Sequence, residues 1–127
     1  MLTREQLQGV LLSRPRAVIN ITKDSRYSTG YCIKPLVQFR GEMDFLLAIE
    51  RTLLQYEITP KVKRTGDKLI LSVSGKDNLY KLLRLVPNLP DANGQWETFR
   101  NIMTIINKGE HQTQAGLDFI LKLKGLL

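Results

Sequence analysis

The sequence predicts an α+β protein in the order αββαββ, followed by three more helices. Three observations predict this order. Two stretches of period-two hydrophobicity each fold back at a glycine-containing turn, once at Gly30 and once at Gly66. Each hairpin is followed by a stretch of helical periodicity, from Glu42 and from Lys76. A short apolar helix that stops at Pro15 precedes the first hairpin.

The elements follow in order. Thr3 and Gln6 have the spacing of a capping box, which starts the first helix at Arg4. Leu7, Val10 and Leu11 recur at helical spacing with Gly9 among them. A mid-helix glycine costs about 1 kcal/mol against alanine, so Gly9 implies a close backbone approach. Two readings stand side by side here: an N-terminal core helix, or a helix that packs against a copy of itself. Strand Arg16–Lys23 turns Ala17, Ile19 and Ile21 one way and Val18, Asn20 and Thr22 the other. A polar loop, residues 24–30, leads to strand Tyr31–Arg40, with Ile33, Val37 and Phe39 on the core face. Lys34, Leu36 and Gln38 share the opposite face with Asn20 and Thr22, and Pro35 implies an edge or a bulge.

The helix from Glu42 to Tyr56 is expected to bury Phe45, Leu46, Ile49, Leu53 and Leu54. The second hairpin pairs Lys61–Arg64 with Lys68–Ser74 across a turn at Thr65-Gly66-Asp67. Leu69, Leu71 and Val73 face the core, which leaves Lys68, Ile70 and Ser72 outward with Lys61 and Lys63 beside them. A helix Lys76–Leu85, a rigid connector over Pro87–Pro90 and a helix bearing Trp96, Phe99, Ile102, Met103 and Ile106 follow. Residues 108–112 form a loop, and Thr113–Leu126 closes the chain as an amphipathic helix.

At 127 residues the chain is expected to be a single domain, 1–127, with a substantial core. Its 43% hydrophobic and 24% charged residues argue against disorder. Cys32, the single cysteine, excludes an internal disulfide framework. No apolar run is long enough to span a bilayer and no secretory leader opens the chain. The expectation is a soluble protein with no membrane partner, intracellular or inside an organelle. The formal net charge of +7 is unevenly placed: residues 14–40 carry +5, residues 60–68 carry +3, and the remainder sums to −1. Both basic segments are predicted strands, and a basic sheet is the footprint of a phosphate-backbone partner.

Other chemistry is sparse. His111 falls in a predicted loop, where capping or solvation explains it. Cys32 has no Cys or His at metal-ligand spacing, and no phosphate loop, nucleophile elbow or zinc signature appears. Trp96 and Phe99 read as core.

The run Leu7-Gln8-Gly9-Val10-Leu11-Leu12-Ser13-Arg14-Pro15, the segment 30–35, the segment 72–79 and the stretch 105–113 with Gly116-Leu117 and residues 120–124 together resemble the LAGLIDADG homing endonuclease family, single-motif branch. The resemblance covers nearly the whole chain. It implies a four-stranded antiparallel, saddle-shaped sheet backed by helices and seated in the DNA major groove. It also implies a homodimer in which two copies of the name-giving helix pair through Leu7, Gly9, Val10 and Leu11. Gln8 replaces the usual alanine, while the motif's first aspartate falls on Leu12 and its metal-binding acid on Arg14, with Pro15 at the closing glycine.

That departure bears on catalysis. Two-metal cleavage needs carboxylates to hold divalent cations, and residues 6–23 contain no Asp or Glu. Arginine ligates no cation and pairs with phosphate instead. The expectation is therefore a nucleic-acid-binding protein with no catalytic or metal-binding residues and no cofactor, Mg²⁺ entering only if the chain is an active nuclease. Its contact face would comprise Asn20, Thr22, Arg26, Lys34, Gln38, Lys61, Lys63 and Lys68, on DNA or structured RNA. Alternatives are an active homing endonuclease of intron or intein type, an RNA-binding maturase-like or ribosome-associated protein, and a sheet that docks onto another protein. The organelle would be a mitochondrion or chloroplast.

Overall fold

The first residues form a reciprocal cap. The Thr3 N–H donates to Gln6 Oε1 at 2.9 Å and the Gln6 N–H donates to Thr3 Oγ1 at 3.1 Å, so two helix-end donors are satisfied at once. In this computed structural model, which describes residues 1–13, 16–66, 68–87 and 94–126, that cap opens α1 (Arg4–Ser13). Then come β1 (Arg16–Lys23), β2 (Tyr31–Gly41), α2 (Met43–Gln55), β3 (Lys61–Thr65), β4 (Lys68–Ser74), α3 (Lys76–Leu85), α4 (Gln95–Asn107) and α5 (Gln114–Leu123). The expected stop at Pro15, the Asp67 position of the second turn and the connector beyond Pro87 lie outside the described residues.

The strands form one antiparallel sheet in the order β1-β2-β4-β3. This corrects the edge reading of Pro35, because β2 is central. Pro35 lies just before the β2–β4 ladder, which begins at Leu36 opposite Ser74. β4 ends there, so the missing N–H costs that ladder no bond.

Two compact units divide the chain. The first comprises Met1–Val18 and Leu36–Leu89. Its core holds Leu7 and Leu11 of α1, Val37 and Phe39 of β2, Leu46, Ile49 and Leu53 of α2, Leu71 and Val73 of β4, and Leu79 and Leu82 of α3. Thr52 completes the buried stripe of α2: its hydroxyl donates to the Ala48 carbonyl at 2.7 Å and accepts the Leu2 N–H at 2.9 Å. Both hydroxyl functions are therefore used, which removes the penalty of burying it. Leu54, expected in that stripe, is 50% exposed. It follows Leu53 by one residue, about 100° around the helix, and so leaves the buried face. Phe45 is half-buried, and Leu36, expected outward, is buried.

The second unit comprises Ile19–Pro35 and Pro90–Leu127. Trp96 and Phe99 meet edge to face with ring centroids 6.0 Å apart, the arrangement aromatic quadrupoles favour. Ile19, Ile102, Met103, Leu117 and Ile120 are buried in this unit. On α4 it is Ile105, not the expected Ile106, that is buried; Ile106 is half-buried. Residues expected as plain loop form a 3₁₀ turn, Glu110–Gln112, that leads into α5. Thr113 caps α5, its Oγ1 accepting the Gly116 N–H at 3.0 Å and donating to the Glu110 carbonyl at 2.7 Å. A Cβ at Gly116 would run into that carbonyl, so glycine is required at this corner. Ser28 Oγ donates to the Gln112 carbonyl at 2.9 Å, which ties the β1–β2 loop to the 3₁₀ turn. Lys124 Nζ donates to the Ile19 carbonyl.

Candidate nucleic-acid interface

Strand alternation makes two faces, and the register of the first unit shows which residues share the outward one. Leu71 and Val73 are buried, so Lys68, Ile70 and Ser72 point the other way. Directly opposed residues of antiparallel strands share a face. Ser72 is opposed by Gln38 on β2 and Lys61 on β3, and Ile70 by Arg40 on β2 and Lys63 on β3. Two cross-strand rows result, Gln38–Ser72–Lys61 and Arg40–Ile70–Lys63, with Lys68 further along β4.

Arg40, Lys61, Lys63 and Lys68 are exposed, while Gln38, Ile70 and Ser72 are half-buried. Among the described residues none of the four cations takes part in an ion pair; the pair that does form joins Asp24 and Arg26. Four unneutralised cations on one strand face repel one another and attract an anion. Arg40 was absent from the expected contact face. The signal lay in its parity, since it stands two residues beyond Gln38 on the same strand. Arg64 and Val62 are also exposed, but their register partners Leu69 and Leu71 place them on the other side of the edge strand β3. A concavity of about 890 Å³ opens at the end of the sheet, lined by Arg40, Met43, Arg64, Lys68 and Ile70 among others.

The other residues of the expected face belong to the second unit. Asn20 and Thr22 are exposed on β1, at positions of the same parity, and Lys34 is exposed on the first part of β2. Arg26 is exposed at the hairpin tip but already paired, its NH2 lying 2.6 Å from Asp24 Oδ2 with Nε also donating to that carboxylate. The pairing holds the Asp24 carboxyl below and the Arg26 guanidinium above their ordinary pKa values. Tyr27 and Tyr31 are exposed beside it, unanticipated from the sequence. Interaction with the neighbouring Cys32 side chain pushes the Tyr27 hydroxyl up from its ordinary pKa.

On α1 the expected pairing face divides. Leu7 and Leu11 are completely buried within the chain itself, so they pack its own core and are unavailable to a second copy. Gly9 is exposed and Val10 half-buried. A Cβ at Gly9 would meet nothing within 4 Å, so among the described residues no close approach explains the glycine.

Leu12, at the first acid position, offers only carbon, and among the described residues no three His, Cys, Asp or Glu side chains gather to hold an ion. Arg14, at the second acid position, lies outside the described residues.

A helix leading into a hairpin, a second helix and hairpin, and a four-stranded antiparallel sheet in the order β1-β2-β4-β3 define the LAGLIDADG homing endonuclease fold, which this chain has. Among solved structures it is similar to the homing endonuclease I-TnaI, with a TM-score of 0.83 at 19% identity over 96% of this chain and 85% of that one. It is also similar to the LAGLIDADG meganuclease I-CpaMI bound to uncleaved DNA, with a TM-score of 0.83 and 22% identity over 98% of this chain and 43% of that one. The meganuclease I-SmaMI, bound to uncleaveable DNA with a TTGT central four, gives 0.85 and 20% over 97% and 44%. The chain thus spans most of I-TnaI and less than half the length of the other two. No protein-family model and no curated protein matches the sequence. No helix among the described residues is long and apolar enough to cross a membrane.

Proposed function

We propose that this chain binds duplex DNA through the outward face of its sheet and does not cleave it unaided. The observation that carries the reading is the pair of rows Gln38–Ser72–Lys61 and Arg40–Ile70–Lys63, with Lys68 beyond them. Cations there meet phosphates or guanine edges, and Gln38 has the donor and acceptor that an adenine edge requires. Three strands at a spacing of about 4.8 Å make a row about 10 Å across, which suits the B-form major groove of about 12 Å. The major groove of A-form RNA is too narrow and deep for such a surface, which favours DNA over structured RNA. I-CpaMI and I-SmaMI, similar in fold, are bound to DNA. Asn20, Thr22, Arg26 and Lys34 form the proposed contact set of the second unit. Leu12 and Arg14 in place of acids support a binding protein rather than a nuclease. Two copies would pair along the exposed Gly9 edge of α1.

The test combines anisotropy and cleavage on the purified chain. Binding to a labelled 30-base-pair random-sequence duplex should weaken steeply between 50 and 200 mM salt and exceed binding to a hairpin RNA of equal length. A supercoiled plasmid should remain uncut in Mg²⁺. Metal-dependent linearisation would establish a nuclease, and a salt-insensitive, DNA-indifferent protein would point to a protein partner for the sheet.

A further inference from the structure

Ile70 stands out on this face. Among the described side chains that β3, β4 and the paired part of β2, Leu36–Gly41, turn to this side, Leu36 is buried, Ile70 is half-buried and the others are polar or charged. The register fixes its place between Arg40 on one neighbouring strand and Lys63 on the other. Flanking side chains about 4.8 Å to either side put Ile70 at the middle of the row. A row of this width laid across the major groove brings its ends toward the two phosphate backbones and its middle over the base edges.

Base edges there are chemically uneven. Guanine, adenine and cytosine present hydrogen-bonding groups, and thymine adds a C5-methyl group. An isoleucine over a donor or acceptor strips water from it and returns no hydrogen bond, which is unfavourable. Over a methyl group it buries carbon against carbon, which is favourable.

We infer that Ile70 reads the C5-methyl group of a thymine, so that the chain selects a T·A pair at one position of its site, with Arg40 and Lys63 holding the row in register on either side. The inference rests on the DNA-binding reading and adds a specificity determinant to it.

The test uses the full chain and two random-sequence duplex pools, one synthesised with thymine and one with uracil in its place. Wild type should enrich thymine at one position of the first pool and show no preference for uracil at that position in the second. Uracil placed there in the selected duplex should weaken binding about fourfold, the loss of one buried methyl. Ile70→Ser should bind the thymine pool without that preference, while Ile70→Val, which keeps an aliphatic surface, should retain it. A preference that survives in the uracil pool, or in Ile70→Ser, overturns the assignment. So does enrichment at that position only in a pool carrying 5-methylcytosine. Binding without any thymine preference defeats the inference and leaves the DNA-binding reading intact; failure to bind either pool defeats both.

Discussion

Single residues decide the geometry of the corner before α5. Thr113 donates to the Glu110 carbonyl, and the same carbonyl fills the space a Cβ at Gly116 would need. Gly116→Ala must push backbone against backbone, with no flexible side chain to yield. A loss of about 2–4 kcal/mol is expected, larger than ordinary overpacking because the obstacle cannot rotate away; thermal unfolding with urea as a second probe measures it. His111 sits in the same corner, half-buried, with Nδ1 enclosed and, among the described residues, unpartnered. Burial pushes its pKa below 6.5. The folded protein therefore resists a proton that the unfolded chain accepts, and stability should fall as pH drops through about 6.5 and below. Urea midpoints between pH 7.5 and 5 should show this decline in wild type and a shallower one in His111→Gln. An equal decline in both would assign the acid sensitivity elsewhere. Neither feature was legible in the sequence. Gly116 reads there as one small residue in an amphipathic run, and its constraint comes from a carbonyl six residues earlier brought back by the 3₁₀ turn.

At the scale of elements, most of the fold could be read in advance, because hydrophobic period and turn chemistry act locally. The Thr3–Gln6 box, both hairpins and the bounds of β1, β4 and α3 needed no tertiary information. What sequence could not supply was strand order. β2 is central, and its Pro35 stands where the β4 ladder has ended. The site follows the same division. Lys61, Lys63 and Lys68 were identifiable by alternation, but the rows that join Arg40 to Lys63 exist only through the register. Helix α1 shows how one motif is partitioned: Leu7 and Leu11 serve the core, while Gly9 faces outward with open space around it. That openness sharpens the test of pairing. In an isolated chain Gly9→Leu meets no obstacle and should raise helix stability by somewhat under 1 kcal/mol. At a two-fold contact the same side chain keeps two backbones apart. Light scattering should therefore show a wild-type dimer and a Gly9→Leu monomer that melts no lower than wild type at limiting dilution. A monomeric wild type, with and without DNA, would end the pairing proposal.

For the whole molecule the question is whether binding comes from one face or from overall charge, since a formal +7 attracts any polyanion. Two triple variants separate these. Arg40, Lys61 and Lys63 replaced together by alanine remove cations from the outward sheet face; Arg51, Lys76 and Lys108 replaced together remove exposed cations of α2, α3 and the end of α4. Each lowers the formal charge by three, so a diffuse field predicts equal losses. Binding through the sheet predicts a different outcome. Every phosphate that a side chain neutralises releases condensed counterions, and the slope of log affinity against log salt falls by about 0.9 for each phosphate left unneutralised. The sheet variant should lose up to nearly three units of slope, and the helix variant less than one, because charges beyond about 10 Å from the phosphates are screened in 0.1 M salt. All six side chains are exposed, so neither variant should shift stability by more than about 0.5 kcal/mol, which circular dichroism melts would verify. Equal slopes in the two variants would show that the sheet holds no privileged role. A selective loss in the first would identify the rows on β2, β3 and β4 as the surface that meets the phosphate backbone.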